Sequence, residues 1–156
     1  MAIIVKNPGF LTTVQDFGRF GYQEFGVPAA GAMDRRSFVT ANILVGNEND
    51  TPALEVTMLG PTLSFNEDCV IAITGGNLSP NINGKPMELY RAVQMRAGDT
   101  LGFGIQKSGC RAYIAFAGGL DVKKVMGSAS TYLKAKLGGI NGRQLQKGDE
   151  LTLLSP

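Results

Sequence analysis

Nine short apolar segments, each bounded by turn-forming residues, constrain the fold of this chain most strongly. In chain order they read AIIV, LTTV, ALEV, TLSF, CVIAIT, VQM, TLGFGI, RAYIAFA and ELTLL. Segments of about four to eight residues that are rich in Val, Ile, Thr and Phe are typical of β-strands. The sequence therefore predicts a mostly β sandwich or barrel.

The length of 156 residues suits one domain with a sizeable core, and 44% of the residues are hydrophobic. We therefore predict a single domain over residues 1–156. The opening MAIIVKN contains too short an apolar run for a signal peptide, and no other run approaches membrane-spanning length. These features predict a cytoplasmic protein without a membrane partner.

Charge and histidine content exclude several kinds of site. Fifteen basic and thirteen acidic residues leave a net charge of +2 without a block of like charges, so nucleic acid is not an expected partner. The chain has no histidine, which removes Ser-His and Cys-His nucleophiles and imidazole metal ligands. No metal site is expected, and any chemistry must use carboxylates, amides, hydroxyls, Lys, Arg, Tyr, Cys or backbone dipoles.

Two stretches depart from the β pattern. In MDRRSFVTANILVGN, Asp34 is a suitable N-cap, the apolar residues repeat on one helical face, and Gly46 follows as a stop. This stretch predicts a helix. A shorter helical turn is predicted from Asp121 to Gly127, in DVKKVMG.

Turn residues predict three tight turns. Asn83-Gly84 tolerates a positive φ at both positions and predicts a hairpin. The pattern Q-x-x-x-G-D-x-L begins at Gln94 and again at Gln144, and both Gly-Asp pairs are expected to turn the chain between strands. A common turn used twice is favoured over a true repeat.

Four single positions carry expectations about burial. Cys69 and Cys110 lie within or beside apolar runs and are both expected to be free thiols in the core. Glu55 alternates with apolar neighbours and is expected to be exposed. Asn42 falls close to the apolar face of the predicted helix, where its amide is expected to reach a backbone partner.

The segment TTVQDFGRFGYQEFGVPAAGAMD, residues 12–34, is the first candidate for chemistry. Gln15, Asp16 and Arg19 bring an amide, a carboxylate and a guanidinium within five residues, a set suited to a polar small molecule. Its glycines fit neither the phosphate-binding nor the dinucleotide-binding loop pattern. The alternative, that Asp16 and Arg19 pair and fix the loop, is favoured by chemistry alone.

For the other candidate functional residues, a purely structural role is at least as well supported by the sequence. Asp34 acts as a helix cap more readily than as a catalytic acid. The segments ITGGNLSP, residues 73–80, and FAGGLDV, residues 116–122, place double glycines after apolar strands. Such glycines admit a ligand or leave N–H groups free for an anion, but an ordinary sharp turn explains them about equally well.

Six motifs in this order resemble one protein family: TTVQDFGRFGYQEFGVPAAGAMD, SFVTANILVGN, ALEVTMLGPTLSF, RAYIAFAGGLDV, MGSAST and GGINGRQLQKGDEL. The chain resembles the N-terminal half of the C-type subunit of 5-oxoprolinase, also described as allophanate hydrolase subunit 2-like or biotin-dependent carboxyltransferase proteins. The matching part of urea carboxylase and urea amidolyase is included. The resemblance covers almost the whole chain.

The resemblance implies a cyclophilin-like β-barrel with one or two short helices. It implies a complex that uses ATP to hydrolyse 5-oxo-L-proline to L-glutamate. The partners would be an allophanate hydrolase subunit 1-like protein, which is the B-type subunit of 5-oxoprolinase, and the lactam-binding A-type subunit of 5-oxoprolinase. The ATP site would lie on a partner, and this chain would be inactive alone.

Two alternatives follow from the same family. Urea carboxylase members transfer a carboxyl group from carboxybiotin to urea, and because no lysine lies in an A-M-K-M type motif, biotin would arrive on another chain. A non-catalytic relative would instead bind a partner subunit and so regulate a sensor-kinase inhibitor.

Roles for individual residues are carried over from the family motifs. Gln15, Asp16 and Arg19 would be catalytic, and the substrate would be bound by Asp34, Asn42, Arg111, Gly118 and Gly119. The chain departs from the family in two respects. Family members are usually about twice as long, like two average domains, and Ala129 stands in MGSAST where an arginine is expected.

Overall fold

Two antiparallel β-sheets form the body of the protein in a computed structural model that describes residues 3–154. The strands are β1 (Ile3–Asn7), β2 (Leu11–Gln15), β3 (Ala53–Thr57), β4 (Thr62–Phe65), β5 (Cys69–Asn77), β6 (Pro80–Ile82), β7 (Lys85–Pro86), β8 (Val93–Met95), β9 (Thr100–Phe103), β10 (Ser108–Phe116) and β11 (Glu150–Leu151). One α-helix, α1 (Arg35–Leu44), and two 3-10 turns, Gln23–Phe25 and Leu133–Ala135, complete the elements assigned within this range.

The first and last strands lie side by side in one sheet. The six-stranded sheet has the order β11-β1-β4-β9-β6-β7, and the five-stranded sheet has the order β2-β3-β10-β5-β8. The main hydrophobic core lies where their apolar faces meet, and the described residues do not join the sheets into one closed ladder. The predicted mostly β fold is confirmed, and it is consistent with a cyclophilin-like architecture. None of the helices assigned within residues 3–154 is long and apolar enough to cross a membrane.

The central strands of the five-stranded sheet are buried on both faces. In β3, Leu54 and Val56 point into the main core, whereas Ala53 and Glu55 point to the opposite face. Helix α1 and the loop before it cover that face, so Glu55 is only 8% exposed. The expectation of an exposed Glu55 was wrong because strand alternation identifies the face but not what packs on it.

Helix α1 begins and ends as its sequence predicts. Asp34 accepts a hydrogen bond from the Ser37 N–H at 3.1 Å, and Gly46 follows the helix with a φ of 80°. Phe38 is fully buried against the sheet, and its ring lies 6.2 Å from the ring of Tyr113 in an edge-on arrangement. This packing fixes α1 on the outer face of β3 and β10.

Two other sequence expectations were wrong. Residues 121–127 do not form a helical turn: Met126 and Gly127 have φ angles of 52° and 79°, which a right-handed helix excludes. Cys110 is exposed because the first three residues of β10 extend beyond the packed part of the sheet. Cys69 is buried as expected, and its burial raises the pKa of the thiol to about 11.

The hairpin and the first Gly-Asp turn are confirmed, whereas the second Gly-Asp turn precedes β11 but follows a loop instead of a strand. The two Gly-Asp turns share one geometry. Asn83 and Gly84 join β6 to β7 with φ angles of 52° and 85°. In the other two turns the aspartate accepts a bond from the backbone N–H three residues earlier, at 2.8 Å in both Asp99 and Asp149. Only Asp149 also binds an arginine, Arg143, through two hydrogen bonds of 2.8 Å.

The Arg143–Asp149 pair predicts a pH-dependent contribution to stability. The hydrogen bonds from Arg143 hold the pKa of Asp149 below the ordinary value of 3.8. A carboxylate whose pKa is lower in the folded state stabilises the protein above the unfolded-state pKa and loses that contribution as the pH falls. We expect Asp149→Asn to cost about 1–2 kcal/mol at pH 7, and the cost to shrink below about pH 4. Urea unfolding at several pH values measures this.

Asp99→Asn is the matched control, because it changes a turn of the same geometry in which the aspartate binds the neutral Asn83 amide at 2.9 Å instead of an arginine. We expect a smaller loss of stability from this variant than from Asp149→Asn at pH 7. Equal losses in the two variants would assign the effect to the turn and contradict a contribution from Arg143.

Candidate functional site

Two glycines close the polar loop that runs from the end of β2 to α1. A Cβ on Gly18 would lie 2.6 Å from the Ala29 carbonyl oxygen, and one on Gly31 would lie 2.5 Å from the Phe17 carbonyl oxygen. The Arg19 N–H also donates to the Ala29 carbonyl at 2.7 Å. The two arms of the loop therefore contact each other backbone to backbone, which only glycine permits at these positions.

Asp16 is the centre of a buried hydrogen-bond network at the start of this loop. Its side chain is 2% exposed and accepts bonds from the hydroxyls of Ser128 at 2.6 Å and Ser130 at 2.7 Å. It also accepts bonds from the backbone N–H groups of Ala129 at 2.9 Å and Gly18 at 2.8 Å. The carboxylate therefore holds the segment 128–130 against the loop.

Arg19 holds the same segment through its backbone carbonyl groups. It is 1% exposed, and it donates to Val125 at 3.1 Å, Ser128 at 3.3 Å and Ser130 at 2.6 Å. Burial lowers the pKa of Arg19, and the charge of Asp16 acts in the opposite direction. Within residues 3–154 its Nη1 is buried without a hydrogen-bond partner. Arg19 and Asp16 thus fix the loop, as the alternative to a substrate-binding role predicted. They do so by binding residues 125–130 and not by pairing with each other.

Gln15 is the third polar side chain of this buried group. Ala129 belongs to the same region but contributes only its backbone N–H to the group. The Gln15 amide donates to the Thr13 hydroxyl at 3.0 Å and to the Thr131 carbonyl at 3.3 Å. Its Oε1 is buried and has no partner among the described residues. Ala129 packs into the main core, so the position where the family resemblance expects an arginine is apolar in this chain. We use the name "brace" for Gln15, Asp16 and Arg19 with residues 125–131.

A second buried polar group, missed in the sequence, ties the end of the loop to the sheet. The Tyr113 hydroxyl donates to Glu55 at 2.7 Å and accepts a bond from the Asp34 N–H at 2.9 Å. Glu55 also accepts a bond from the Met33 N–H at 2.9 Å. Burial, together with the neighbouring Glu55, raises the pKa of Tyr113 above its usual range. This group anchors the N-terminus of α1, where Asp34 acts as the cap.

Asn42 and the double glycine after β10 belong to a third network. Asn42 is fully buried and donates to the Thr51 carbonyl at 2.9 Å, which confirms the expected backbone partner. Asn47 links this amide to the Gly118 N–H, with bonds of 3.2 and 2.9 Å. A Cβ on Gly119 would lie 2.5 Å from the Thr51 side chain. These contacts hold the loop after α1 against the end of β10.

Arg111 lies away from the brace. It pairs with Thr57 in β3, whereas Gln15 pairs with Ala53 at the other end of the same strand. Four residues of strand separate these positions by about 13 Å. The structure thus brings Gln15, Asp16 and Arg19 together but not Arg111. Substrate binding by the five predicted residues, Asp34, Asn42, Arg111, Gly118 and Gly119, stays a prediction.

Asp50 is an exposed acid that the sequence did not single out. It accepts a hydrogen bond from the Phe17 N–H at 2.7 Å, beside the brace. Partial shielding from water raises its pKa, and the charge of Asp16 adds to this rise. The Phe17 N–H, Lys124 and Arg35 act in the opposite direction. Asp50 lies in the polar turn GNENDT, where no motif distinguishes a functional acid from a surface one.

Comparisons with known proteins cover nearly the whole chain. The family described as "Carboxyltransferase domain, subdomain A and B" matches residues 25–156. Urea amidolyase from Lachancea kluyveri is 46% identical over 156 residues, which cover 99% of this chain and 8% of the relative. The C-type subunit of 5-oxoprolinase from Escherichia coli is 41% identical over 149 residues, covering 96% of this chain and 48% of the relative.

Solved structures agree with these sequence relatives. The crystal structure of Kluyveromyces lactis urea carboxylase has a TM-score of 0.96 and 44% identity, covering 99% of this chain and 14% of that one. The chain therefore spans less than a sixth of that urea carboxylase and about half of the E. coli 5-oxoprolinase relative.

Proposed function

Because the chain belongs to the family of carboxyltransferase domains, subdomains A and B, we propose that it forms part of an enzyme acting on a small amide or lactam. The resemblance to the C-type subunit of 5-oxoprolinase and to urea carboxylase is confirmed by relatives bearing these names. The preferred reaction is the ATP-dependent hydrolysis of 5-oxo-L-proline to L-glutamate, with this chain as one component of the complex.

One observation carries the proposal: an accessible acid, Asp50, lies at the edge of a buried and fixed polar group. Asp16 has four hydrogen-bond donors and almost no exposed surface, so we assign it a positioning role. Asp50 is exposed beside the same loop, and its pKa is raised. A general base must reach the substrate and is more effective when its pKa lies closer to the working pH. Asp50 is exposed to solvent, and its pKa is shifted in the direction that a general base needs.

The chemistry shared by the candidate reactions needs such a base. In lactam hydrolysis a water loses a proton as it attacks the carbonyl carbon, and in carboxyl transfer to urea a nitrogen loses one. We propose that Asp50 accepts this proton, while fixed donors meet the negative charge that develops on oxygen. Arg19 Nη1 is a buried donor, and Gln15 Oε1 a buried acceptor, that the described residues leave without a hydrogen-bond partner, so these two groups are the candidates for contacts with the substrate.

The proposed reaction also requires partner subunits and ATP. The name of the E. coli relative is that of one 5-oxoprolinase subunit among several. We propose partners resembling the A-type and B-type subunits of 5-oxoprolinase, with the ATP site on a partner. If biotin takes part, it arrives on another chain.

Carboxyl transfer to urea is the second candidate. The observation in its support is the identity to urea amidolyase, 46%, which is slightly higher than the 41% to the E. coli 5-oxoprolinase relative. In this reaction the chain would contribute to the carboxyltransferase of a urea carboxylase, and the product would be allophanate.

The test combines this chain with the A-type and B-type subunits of 5-oxoprolinase and the second half of the C-type subunit, supplied as separate proteins. We expect ATP-dependent glutamate release from 5-oxoproline only when this chain is present. Asp50→Asn is expected to lower kcat by about 100-fold or more because it removes the base, without a change in the unfolding midpoint. Glu48→Gln, a change of another exposed acid in the same turn, is the control that should retain full activity.

Three outcomes separate the candidates. Allophanate formation from urea in the corresponding urea carboxylase mixture, without glutamate release, would replace the first reaction by the second. Turnover unchanged by Asp50→Asn would reject the proposed base. If the chain bound a partner subunit but supported neither glutamate release nor allophanate formation, regulation of that partner would be the remaining function.

A further inference from the structure

Positive charge is concentrated in one part of the chain, residues 122–148. Six of the fifteen basic residues lie there, and none of the thirteen acidic residues does. Apart from the short 3-10 turn Leu133–Ala135, the segment is loop. Two of its lysines, Lys123 and Lys136, are exposed and form no ion pair with any carboxylate in residues 3–154.

These two lysines line the same groove. Its volume is about 250 Å³, and its walls include Val125, Gly138 and Asn141. Pockets for drug-sized ligands hold about 300–1,000 Å³, so this groove suits a smaller molecule. Two ammonium groups and an exposed amide around a small groove favour an anion with several acceptor oxygens.

A buried cation lies directly behind this groove. The Arg19 Nε donates to the carbonyl of Val125, a wall residue, and a Cβ on Gly138 would lie 2.6 Å from Arg19 Nη2. Arg19 is 1% exposed, and its Nη1 has no hydrogen-bond partner among the described residues. No acidic side chain of residues 3–154 lines the groove. Asp16 partly offsets the charge of Arg19 from behind, so the positive charge that faces the groove comes mainly from the two lysines.

A larger groove elsewhere lacks this preference for one sign of charge. It has a volume of about 710 Å³, and its walls carry Lys85, Arg91, Glu88 and Asp99. Arg91 also pairs with Glu88 at 2.8 Å. Opposite charges in equal number do not select an anion or a cation.

We propose that the groove lined by Lys123, Lys136 and Asn141 binds a small oxyanion, a carboxylate or a phosphate group. The two lysines supply charge-assisted hydrogen bonds to its oxygens, and Arg19 adds a fixed positive charge behind them. This groove shares Arg19 and Val125 with the brace, but its lysines take no part in the proton transfer assigned to Asp50, and anion binding does not depend on the reaction that the assembled enzyme performs.

The experiment titrates the full chain with inorganic phosphate and, in a second arm, with acetate, at constant ionic strength maintained with sodium chloride. The backbone amide NMR signals of Gly138, Gly139 and Gly142 report occupancy of the groove. We expect saturable shifts with at least one of the two anions. The double variant Lys123→Gln/Lys136→Gln should weaken the apparent Kd about tenfold or more, because two charge-assisted bonds are lost.

A second double variant, Lys134→Gln/Lys147→Gln, removes the same charge from the segment outside the groove and should leave Kd within about twofold, as expected for screened surface charges. Tighter binding of phosphate than of acetate would identify a phosphate site, and the reverse a carboxylate site. The proposal would be overturned by shifts that never saturate with either anion. Equal weakening in the two double variants would also overturn it, because attraction would then be diffuse.

Discussion

Replacing Asp16 with alanine is expected to lower the free energy of unfolding by about 3–6 kcal/mol, since each buried donor left without an acceptor costs about 1–3 kcal/mol. The variant leaves the hydroxyls of Ser128 and Ser130 and the N–H of Ala129 without their acceptor. It also removes the negative charge near the buried Arg19. A natural domain has only about 5–15 kcal/mol of stability in total. Urea unfolding, followed by circular dichroism, measures the loss.

Asp16→Asn and Asp50→Ala are the matched controls for this prediction. Asparagine keeps the volume and one acceptor oxygen, so Asp16→Asn should lose less stability than Asp16→Ala. Asp50 is exposed and accepts one backbone bond, so Asp50→Ala should cost about 1 kcal/mol or less. If Asp16→Ala unfolds at the wild-type urea concentration and yet abolishes turnover, Asp16 acts on the substrate and the positioning role is wrong.

The parts of the fold that could be predicted from the sequence are those set by neighbouring residues. The hairpin at Asn83-Gly84 depends on two residues that tolerate a positive φ, and α1 depends on a local cap at Asp34. The same holds for the Gly-Asp turns, where the side chain bonds to the backbone three residues earlier. Interactions between neighbouring residues determine these features, so no knowledge of distant parts of the chain is needed to predict them.

The brace could not be predicted, because its hydrogen bonds join distant parts of the chain. Asp16 and Arg19 are three positions apart, which suggested an ion pair, but Asp16 binds Ser128, 112 positions away. The helical turn expected at residues 121–127 is absent from the same region, where Arg19 binds the Val125 carbonyl and Met126 turns the chain. Tertiary hydrogen bonds here outweigh a weak local preference for helix.

The burial of Glu55 on the outer face of the five-stranded sheet could not be predicted from the sequence either. The alternation in ALEVT places Glu55 opposite the core, but only the packing of α1 and its preceding loop buries it beside Tyr113. Two of the six motifs that carried the resemblance to a family, MGSAST and the one that contains QDFGR, are in direct contact in the structure. A sequence shows that both motifs are present, and the fold shows that they form one unit.

Gly138→Ala is expected to damage that unit as severely as the loss of Asp16. A Cβ at this position would overlap the Ser130 carbonyl oxygen and lie 2.6 Å from Arg19 Nη2, in a backbone with a φ of 68°. Either the backbone shifts or the 2.6 Å bond from Arg19 to Ser130 breaks. Strain at a positive φ and loss of a charge-assisted bond together cost about 4 kcal/mol.

The cost of the positive φ alone can be measured at Gly148, whose φ is 93° and where a Cβ would meet nothing within 4 Å. Gly148→Ala is therefore expected to cost about 1–2 kcal/mol. The difference between the two variants, measured by urea unfolding, isolates the contact of residue 138 with the brace. If Gly138→Ala costs no more than Gly148→Ala, residues 125–131 yield to the added methyl group, and the brace is too compliant to hold Arg19 in one position.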